Sequence, residues 1–188
     1  MLAELALAVT SATTAAYGLR AHRLQRRLRT DPLTGLGNRA ALEVAFHRAR
    51  RGRRGEHLVA VALGDLNGFK ALNDTHGHRF GDQVLITVAT ALKSTAHRGE
   101  LPVRLHGDEF AILLPATTAE QAEHRARAFQ AAVSAIDQVH GQPVEISMAL
   151  GVMTAPAARA DLSALLASAD DRMYGDKAAH KFPASARR

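Results

Sequence analysis

The feature that most constrains this sequence is an unbroken apolar run at residues 58–63, followed by Gly64 and Asp65. Such a run predicts a strand that is buried on both faces, over residues 57–65. A strand of this kind belongs to a sheet that is covered on both sides by other elements. Polar residues at strand ends in α/β sheets are often functional, so Asp65 is a candidate site residue.

The pattern around this strand predicts an α/β fold. Residues 101–105 and 109–114 form two further predicted strands, joined by a tight turn at His106, Gly107 and Asp108. A last strand is predicted over residues 143–154, and helices over residues 39–53, 68–74, 80–95, 118–136 and 161–179. This order favours an α+β sandwich with a mostly antiparallel central sheet.

Composition limits the class of protein. A chain of 188 residues with 47% hydrophobic and 22% charged residues suits one folded domain with a short appendage. Cysteine is absent, which removes disulfides, thiolate metal sites and cysteine nucleophiles. The net charge of +6 can attract phosphates. Aromatic residues make up only 4%, however, and no zinc-finger pattern occurs, so we predict no nucleic-acid partner.

Residues 1–29 precede the predicted domain and allow two interpretations. A heptad-like apolar stripe is formed by Leu2, Leu5, Val9, Ala12, Ala16 and Leu19, and a cluster of arginines begins at Arg20. Residues 1–19 are therefore either a short membrane anchor, about 28 Å long, with the arginines on the cytoplasmic side, or part of a dimerising helical stalk. The residues leave both interpretations open.

Two carboxylates stand out by their positions. Asp65 ends the buried strand and Asp108 lies in the hairpin turn. Carboxylates from adjacent sheet elements can share a hard cation such as Mg²⁺, with triphosphate oxygens completing its shell. Nucleotidyl transfer needs this arrangement because the reacting phosphate must be held in position and its negative charge must be neutralised. The structural alternative is that Asp65 caps a helix and Asp108 is an ordinary turn residue.

Five motifs stand out along the chain. One is the hairpin His106-Gly107-Asp108-Glu109-Phe110. The other four are Asp31-Pro32-Leu33-Thr34-Gly35-Leu36, Asp65-Leu66-Asn67-Gly68-Phe69-Lys70, Asn73-Asp74 with Gly77-His78 and Gly81-Asp82, and Ala169-Asp170 with Met173-Tyr174 and Lys177. Together they resemble the motifs of the GGDEF-domain diguanylate cyclases, and the hairpin is similar to that family's signature. Motifs that occur together in the family's order are far more specific than any one of them alone.

The resemblance covers residues 30–182 and implies a domain arrangement. Residues 1–29 would be the N-terminal helix, residues 30–182 the GGDEF domain and residues 183–188 a basic tail. The implied fold is a nucleotide-cyclase-like palm with a central, mostly antiparallel five-stranded sheet flanked by helices.

The resemblance also implies an activity. A diguanylate cyclase is a nucleotidyltransferase that condenses two GTP into the signalling molecule cyclic di-GMP and two pyrophosphates, with Mg²⁺ or Mn²⁺. Each monomer of the family holds one GTP, so the resemblance implies a homodimer. We expect the domain in the cytoplasm, held at the inner face of the cell membrane if residues 1–19 span it.

The resemblance implies which residues of this sequence correspond to the family's site residues. Asp65, Asp108 and the Leu66 carbonyl correspond to the metal ligands. Asp108 also matches the residue that helps to activate the attacking 3′-hydroxyl, and Glu109 matches the acidic position that supports the metal site. The substrate-binding positions are Gly68 and Phe69 for phosphates, Asn73 and Asp82 for guanine, and Lys177 and Lys181 for phosphates.

The sequence departs from the signature at its first position, where His106 replaces glycine. A tight turn often needs a positive φ there, which glycine adopts more readily than histidine. This departure supports an alternative function, a catalytically impaired GGDEF domain that acts as a GTP-binding regulatory or dimerisation module. The second Asp of the family's Asp-x-Asp segment is Asn67, a milder change.

The family's product-inhibition motif, Arg-x-x-Asp, is degenerate. Here the stretch is His97-Arg98-Gly99-Glu100, with His97 and Glu100 at the two motif positions. We therefore expect weak or absent product inhibition through this site. The structural alternative is that Arg98 and Glu100 form a surface ion pair.

Overall fold

The computed structural model describes residues 28–51, 57–116 and 118–181, with side chains up to residue 175. The predicted anchor or stalk at residues 1–19 and the basic tail at residues 183–188 lie outside the described residues. Within the described part of the chain, no helix has the length and apolar character needed to cross a bilayer.

Helices and strands alternate along the described chain. In order they are α1 (Arg39–Arg51), β1 (Leu58–Leu66), α2 (Phe69–His76), α3 (His78–Thr95), β2 (Leu101–His106), β3 (Glu109–Ala116), α4 (Ala119–Ser134), β4 (Gln138–Val139), β5 (Gln142–Pro143), β6 (Met148–Pro156) and α5 (Leu162–Lys181). Most bounds lie within about two residues of those predicted.

The central sheet confirms the predicted fold class. Its strand order is β2-β3-β1-β6, and every neighbouring pair is antiparallel. Within the described residues this sheet has four strands, so the expectation of five was wrong in number. The sheet is flanked by helices on both faces, as the buried strand required.

The strand predicted over residues 143–154 is divided in the structure. Strands β4 and β5 form a separate two-stranded ribbon, and β6 begins only at Met148. The ribbon closes through His140 and Gly141, which have φ values of 50° and 79°. A two-residue turn with positive φ at both positions suits the twist of a hairpin. The turn pairs β5 with β4, and residues 144–147, which belong to no strand, separate β5 from β6.

Strand β1 lies between two cores. Ala60 and Ala62 face one cluster, which contains the apolar faces of α3 and α4. Val59, Val61 and Leu63 face the other, which is formed mainly with α1 and α5. These five side chains are at most 5% exposed, which explains why the sequence of β1 is apolar without alternation. This buried inner strand carries Asp65 to one end of the sheet.

Candidate nucleotide and metal site

The end of β1 brings the predicted metal ligands next to the signature hairpin. Asp65 lies directly opposite Glu109 of β3 in the antiparallel ladder. One residue later, the Leu66 amide donates to the Asp108 carbonyl oxygen at 3.4 Å. Directly opposed residues of neighbouring strands point their side chains to the same face of the sheet. The structure thus gathers Asp65, Leu66, Asp108 and Glu109 at one end of the sheet.

The oxygen atoms here are of the kind that a hard divalent cation prefers. Two carboxylates, from Asp65 and Asp108, and the Leu66 carbonyl are all oxygen donors. Among the described residues, no group of three or more His, Asp or Glu side chains could hold a metal ion by itself. A cation at this site would need more oxygen ligands, and the phosphates of a bound nucleotide supply them. The residues therefore fit a metal that binds together with a nucleotide.

The signature hairpin accommodates His106 without the expected strain. Its positive φ of 50° falls on Gly107. Among the described non-glycine residues, only His140 has a positive φ, so His106 keeps an ordinary backbone conformation. The β2–β3 register shifts between Arg104 and His106, which sets His106 opposite Glu109. The concern that a histidine would distort this turn is therefore not supported.

The side chain of His106 contacts the second acidic residue of the signature. Its Nε2 lies 3.1 Å from Oε2 of Glu109. The imidazole is 71% exposed and the Glu109 side chain only 28%. The substitution at the first signature position thus adds a hydrogen-bonding partner for Glu109 that glycine cannot provide.

Arg104 and Asp31 join the opening motif to the hairpin, a role that the sequence did not indicate. Arg104 Nη1 donates to Asp31 Oδ1 at 3.2 Å, and Arg104 Nε donates to the Gly107 carbonyl at 2.8 Å. Asp31 Oδ1 also accepts from the amide and hydroxyl of Thr34, at 2.8 and 2.6 Å. Burial tends to raise the pKa of Asp31, but the bonds from Thr34 and Arg104 outweigh it and lower the pKa overall.

The loop after β1 presents the N-terminus of α2. Gly68 is the N-cap of this helix, with a φ of 71°, and as a glycine it provides no side-chain cap. Asn67 holds the loop in place. Its backbone N–H donates to the Ser147 carbonyl at 2.9 Å, and its side-chain Nδ2 donates to Ser147 Oγ at 3.0 Å. The N–H groups from Phe69 onwards remain suited to an anion, since helix N-termini attract phosphate.

The two predicted guanine-binding residues are neighbours across the junction of α2 and α3. The Asn73 side-chain oxygen Oδ1 is buried and has no hydrogen-bond partner among the described residues. A Cβ added to Gly81 would collide with this same oxygen, so Gly81 makes room for it. Asp82 follows Gly81 on α3 and is exposed. An unpaired buried acceptor costs free energy, and a donor from a ligand would recover it.

The remaining predicted substrate residues lie near the end of α5. This helix extends to Lys181 and includes Lys177. Residues four apart share one helix face, so the two backbone positions are compatible with a common ligand. Their side chains lie outside the part of the chain whose side chains are described.

At the degenerate inhibitory motif, Glu100 pairs with Arg125 of α4 and not with Arg98, the structural alternative. Arg125 Nε lies 2.7 Å from Glu100 Oε1, and Arg125 Nη2 lies 2.8 Å from Oε2. Arg125 also donates to the Thr95 carbonyl at 2.9 Å. The side chains of Glu100 and Arg125 are only 6% and 18% exposed, so this is a partly buried bidentate ion pair.

The ion pair also shifts the pKa values of Glu100 and Arg125. Burial tends to raise the pKa of Glu100, but hydrogen bonds from Arg125 and from the His97 amide outweigh it and lower the pKa overall. The hydrogen bond to Glu100 raises the pKa of Arg125 despite its burial. Both groups therefore remain charged near neutral pH.

The fold and the site together define a class of protein, an α/β palm domain of the nucleotide-cyclase type with carboxylates at the end of paired antiparallel strands. Residues 28–182 match the family described as "Diguanylate cyclase, GGDEF domain". The chain belongs to this GGDEF family.

Curated proteins and a solved structure agree with this assignment. The chain is 37% identical over 153 residues to the diguanylate cyclase DgcP of Pseudomonas aeruginosa, covering 80% of this chain and 22% of DgcP. It is 33% identical to the cyclic di-GMP phosphodiesterase PdeR of Escherichia coli, covering 82% of this chain and 24% of PdeR. The chain thus spans between a fifth and a quarter of the length of these two relatives.

A structure of the coiled coil and GGDEF domain of DgcB from Caulobacter crescentus, in complex with c-di-GMP, superimposes with a TM-score of 0.80. The sequences are 25% identical, and the match covers 95% of each chain.

Proposed function

We propose that this chain is a diguanylate cyclase, which condenses two GTP into cyclic di-GMP and two pyrophosphates. The observation that carries the proposal is the pairing of Asp65 with Glu109 across β1 and β3, next to Asp108. Three acidic residues therefore lie near one another, and carboxylates that can hold a divalent cation support an assignment to nucleotidyl transfer. Similarity to proteins named diguanylate cyclase supports a role in c-di-GMP signalling.

The carboxylates have distinct roles in this proposal. Asp65, Asp108 and the Leu66 carbonyl would hold Mg²⁺ or Mn²⁺, and Glu109 would support the site. When bound, the ion neutralises charge on the triphosphate. Asp108 would also help to withdraw the proton from the attacking 3′-hydroxyl, whose oxygen then attacks the α-phosphorus while pyrophosphate leaves.

The loops around α2 would recognise the rest of GTP. The backbone at Gly68 and Phe69 would hold phosphate oxygens at the helix N-terminus. Asn73 Oδ1 would accept from the N1–H or N2–H₂ group of guanine, which accounts for its lack of a partner among the described residues. Asp82 would accept a second guanine donor, and Lys177 and Lys181 would bind phosphate.

Catalysis by this route needs two copies of the domain. Because each domain would hold one GTP, we propose a homodimer that brings two sites face to face. We propose that residues 30–182 form the catalytic domain and act in the cytoplasm, and that residues 1–29 pair the domains or anchor them to the membrane. The coiled coil in the DgcB structure supports the pairing alternative for this chain.

We also propose that product does not inhibit the enzyme through residues 97–100. Both carboxylate oxygens of Glu100 are already bonded to Arg125, so the acidic position of the motif is occupied within the chain. His97 stands where an arginine would be required.

The test uses the full 188-residue chain with GTP and Mg²⁺ or Mn²⁺, followed by chromatography of the nucleotides. We expect cyclic di-GMP, and a fall of at least about a hundredfold in Asp108→Asn, because the isosteric amide cannot take a proton or bind the cation as well. Glu120→Gln, an exposed change on α4, is the matched control and should keep full activity. Equal activity in Asp108→Asn and wild type would contradict the assignment.

The alternative function is a GTP-binding regulatory module with impaired catalysis. The contact between His106 and Glu109 favours it, because it occupies one oxygen of a carboxylate that the reaction needs. This alternative predicts GTP binding without product in the same assay. A partner's activity would then respond to the wild-type chain and to Asp108→Asn alike, provided that both bind GTP.

A further inference from the structure

The ladder places three polar side chains in one row across the sheet. His106 of β2 is opposite Glu109 of β3, and Glu109 is opposite Asp65 of β1. Side chains in such a row lie on the same face, with Cβ atoms of directly opposed residues about 5 Å apart. Glu109 therefore stands between an imidazole on one side and the carboxylate of the proposed cation site on the other.

The carboxylate of Glu109 is engaged on the imidazole side. Its Oε2 lies 3.1 Å from His106 Nε2, within hydrogen-bonding distance. Glu109 is only 28% exposed, so its side chain has limited freedom to satisfy both neighbours, whereas His106 is 71% exposed. A carboxylate oxygen that accepts a hydrogen bond has less charge to offer a cation on its other side.

We propose that His106 is a positioning residue that holds Glu109 away from the cation site and so weakens the binding of a divalent cation. This inference rests on the proposed function, because that function places the cation beside Asp65 and Asp108. It assigns a specific consequence to the departure from the family signature: this chain would need more divalent cation than it would with a small residue at position 106.

The experiment measures Mn²⁺ affinity by electron paramagnetic resonance on the full chain. Saturating guanosine 5′-(α,β-methylene)triphosphate is present, because this analogue supplies phosphate oxygens but cannot react. His106→Ala removes the hydrogen bond without adding backbone freedom, and we expect about three- to tenfold tighter Mn²⁺ binding. His106→Gln is the matched control, since its amide can still donate to Glu109, and it should stay within about twofold of wild type.

A third variant tests whether the effect acts through Glu109. In a Glu109→Gln background, His106→Ala should no longer change Mn²⁺ affinity, because the two residues form one thermodynamic cycle. Unchanged or weaker Mn²⁺ binding in His106→Ala would overturn the proposal, as would equal effects with and without Glu109. No Mn²⁺ binding in any variant would also overturn it.

Metal binding and catalysis are separate measurements in this design. A wild-type chain that makes no cyclic di-GMP but shows the expected pattern of Mn²⁺ affinities would remove the cyclase assignment and leave the role of His106 standing. If the chain makes cyclic di-GMP but Mn²⁺ affinity is equal in all variants, the cyclase assignment stands and the proposed role of His106 is overturned.

Discussion

One guanidinium links the first motif of the domain to its signature hairpin: Arg104 donates to Asp31 at 3.2 Å and to the Gly107 carbonyl at 2.8 Å. The two side chains are 13% and 16% exposed. Because Gly107 immediately precedes Asp108, the position of the proposed catalytic carboxylate depends on a contact between residues 73 apart in sequence.

Removing Arg104 should therefore lower the stability of the domain. Arg104→Ala leaves a partly buried carboxylate without its cation, and we expect a loss of about 2–4 kcal/mol in the free energy of unfolding. Urea denaturation measures this loss. Arg39→Ala removes an exposed pair with Glu43 on α1, whose side chains are 59% and 53% exposed, and is the matched control with little expected change. Equal losses in the two variants would contradict the proposed link.

Stability should fall in acid because two carboxyl groups have lowered pKa values. Burial opposes ionisation of Asp31 and Glu100, but their hydrogen bonds to Thr34, Arg104, Arg125 and the His97 amide lower each pKa overall. A group whose pKa is lower in the folded state stabilises the fold above its unfolded pKa. That contribution is lost as pH falls through the folded pKa.

The free energy of unfolding should therefore decline from about pH 5 downwards. Urea denaturation at a series of pH values from 7 to 3 measures the decline. Glu100→Gln cannot titrate at this position and should show a shallower dependence. A variant whose pH profile runs parallel to that of wild type would show that the Glu100 pair does not contribute to acid sensitivity.

Much of the fold could be predicted because the signals are local. The apolar run in β1 and the hairpin around Gly107 predicted the middle of the sheet and the residues at its end. The break between β5 and β6 was missed because the alternation of residues 143–154 resembles one continuous strand. Residues 144–147 belong to no strand, and the turn at His140 and Gly141 pairs β5 with β4 instead of extending β6.

The sequence indicated candidate site residues but not the contacts that they make. The family motifs indicated Asp65, Asp108 and Asn73 by position alone. Pairs such as Arg104 with Asp31 and Arg125 with Glu100 depend on how separate elements pack, and nothing in the local sequence selects one arginine over another. The same limit explains why the sequence suggested backbone strain at His106 and did not indicate its contact with Glu109.

Removing the ion pair of Glu100 with Arg125 should lower the stability of the domain without changing its response to cyclic di-GMP. Glu100→Ala leaves a partly buried arginine without its carboxylate partner and should lower the free energy of unfolding by about 2–4 kcal/mol. The initial rate of GTP turnover should respond equally little to added cyclic di-GMP in this variant and in wild type. Arg98→Ala, on the same loop, is a control for both measurements, with little change expected. Strong inhibition of wild type that is lost in Glu100→Ala would show that this position binds product after all.

Asn73 should lower the stability of the free domain while contributing to the binding of GTP. Its buried Oδ1 has no partner among the described residues, so Asn73→Ala removes an unsatisfied acceptor and should leave the free energy of unfolding unchanged or raise it by about 1 kcal/mol. The same variant should bind GTP about tenfold more weakly, because a guanine donor then loses its acceptor. Urea denaturation and isothermal titration with GTP, in the presence of a chelator to prevent turnover, measure the two effects.

Adenine lacks the N1–H and N2–H₂ donors of guanine, so the Asn73→Ala variant should also discriminate less between GTP and ATP. Gly81→Ala is the matched probe of the same contact, since its added Cβ meets the Asn73 oxygen and should displace the side chain. It should lower GTP affinity as well, but at a cost in stability. If Asn73→Ala destabilises the chain and leaves GTP affinity intact, then Asn73 supports the fold and guanine is recognised elsewhere.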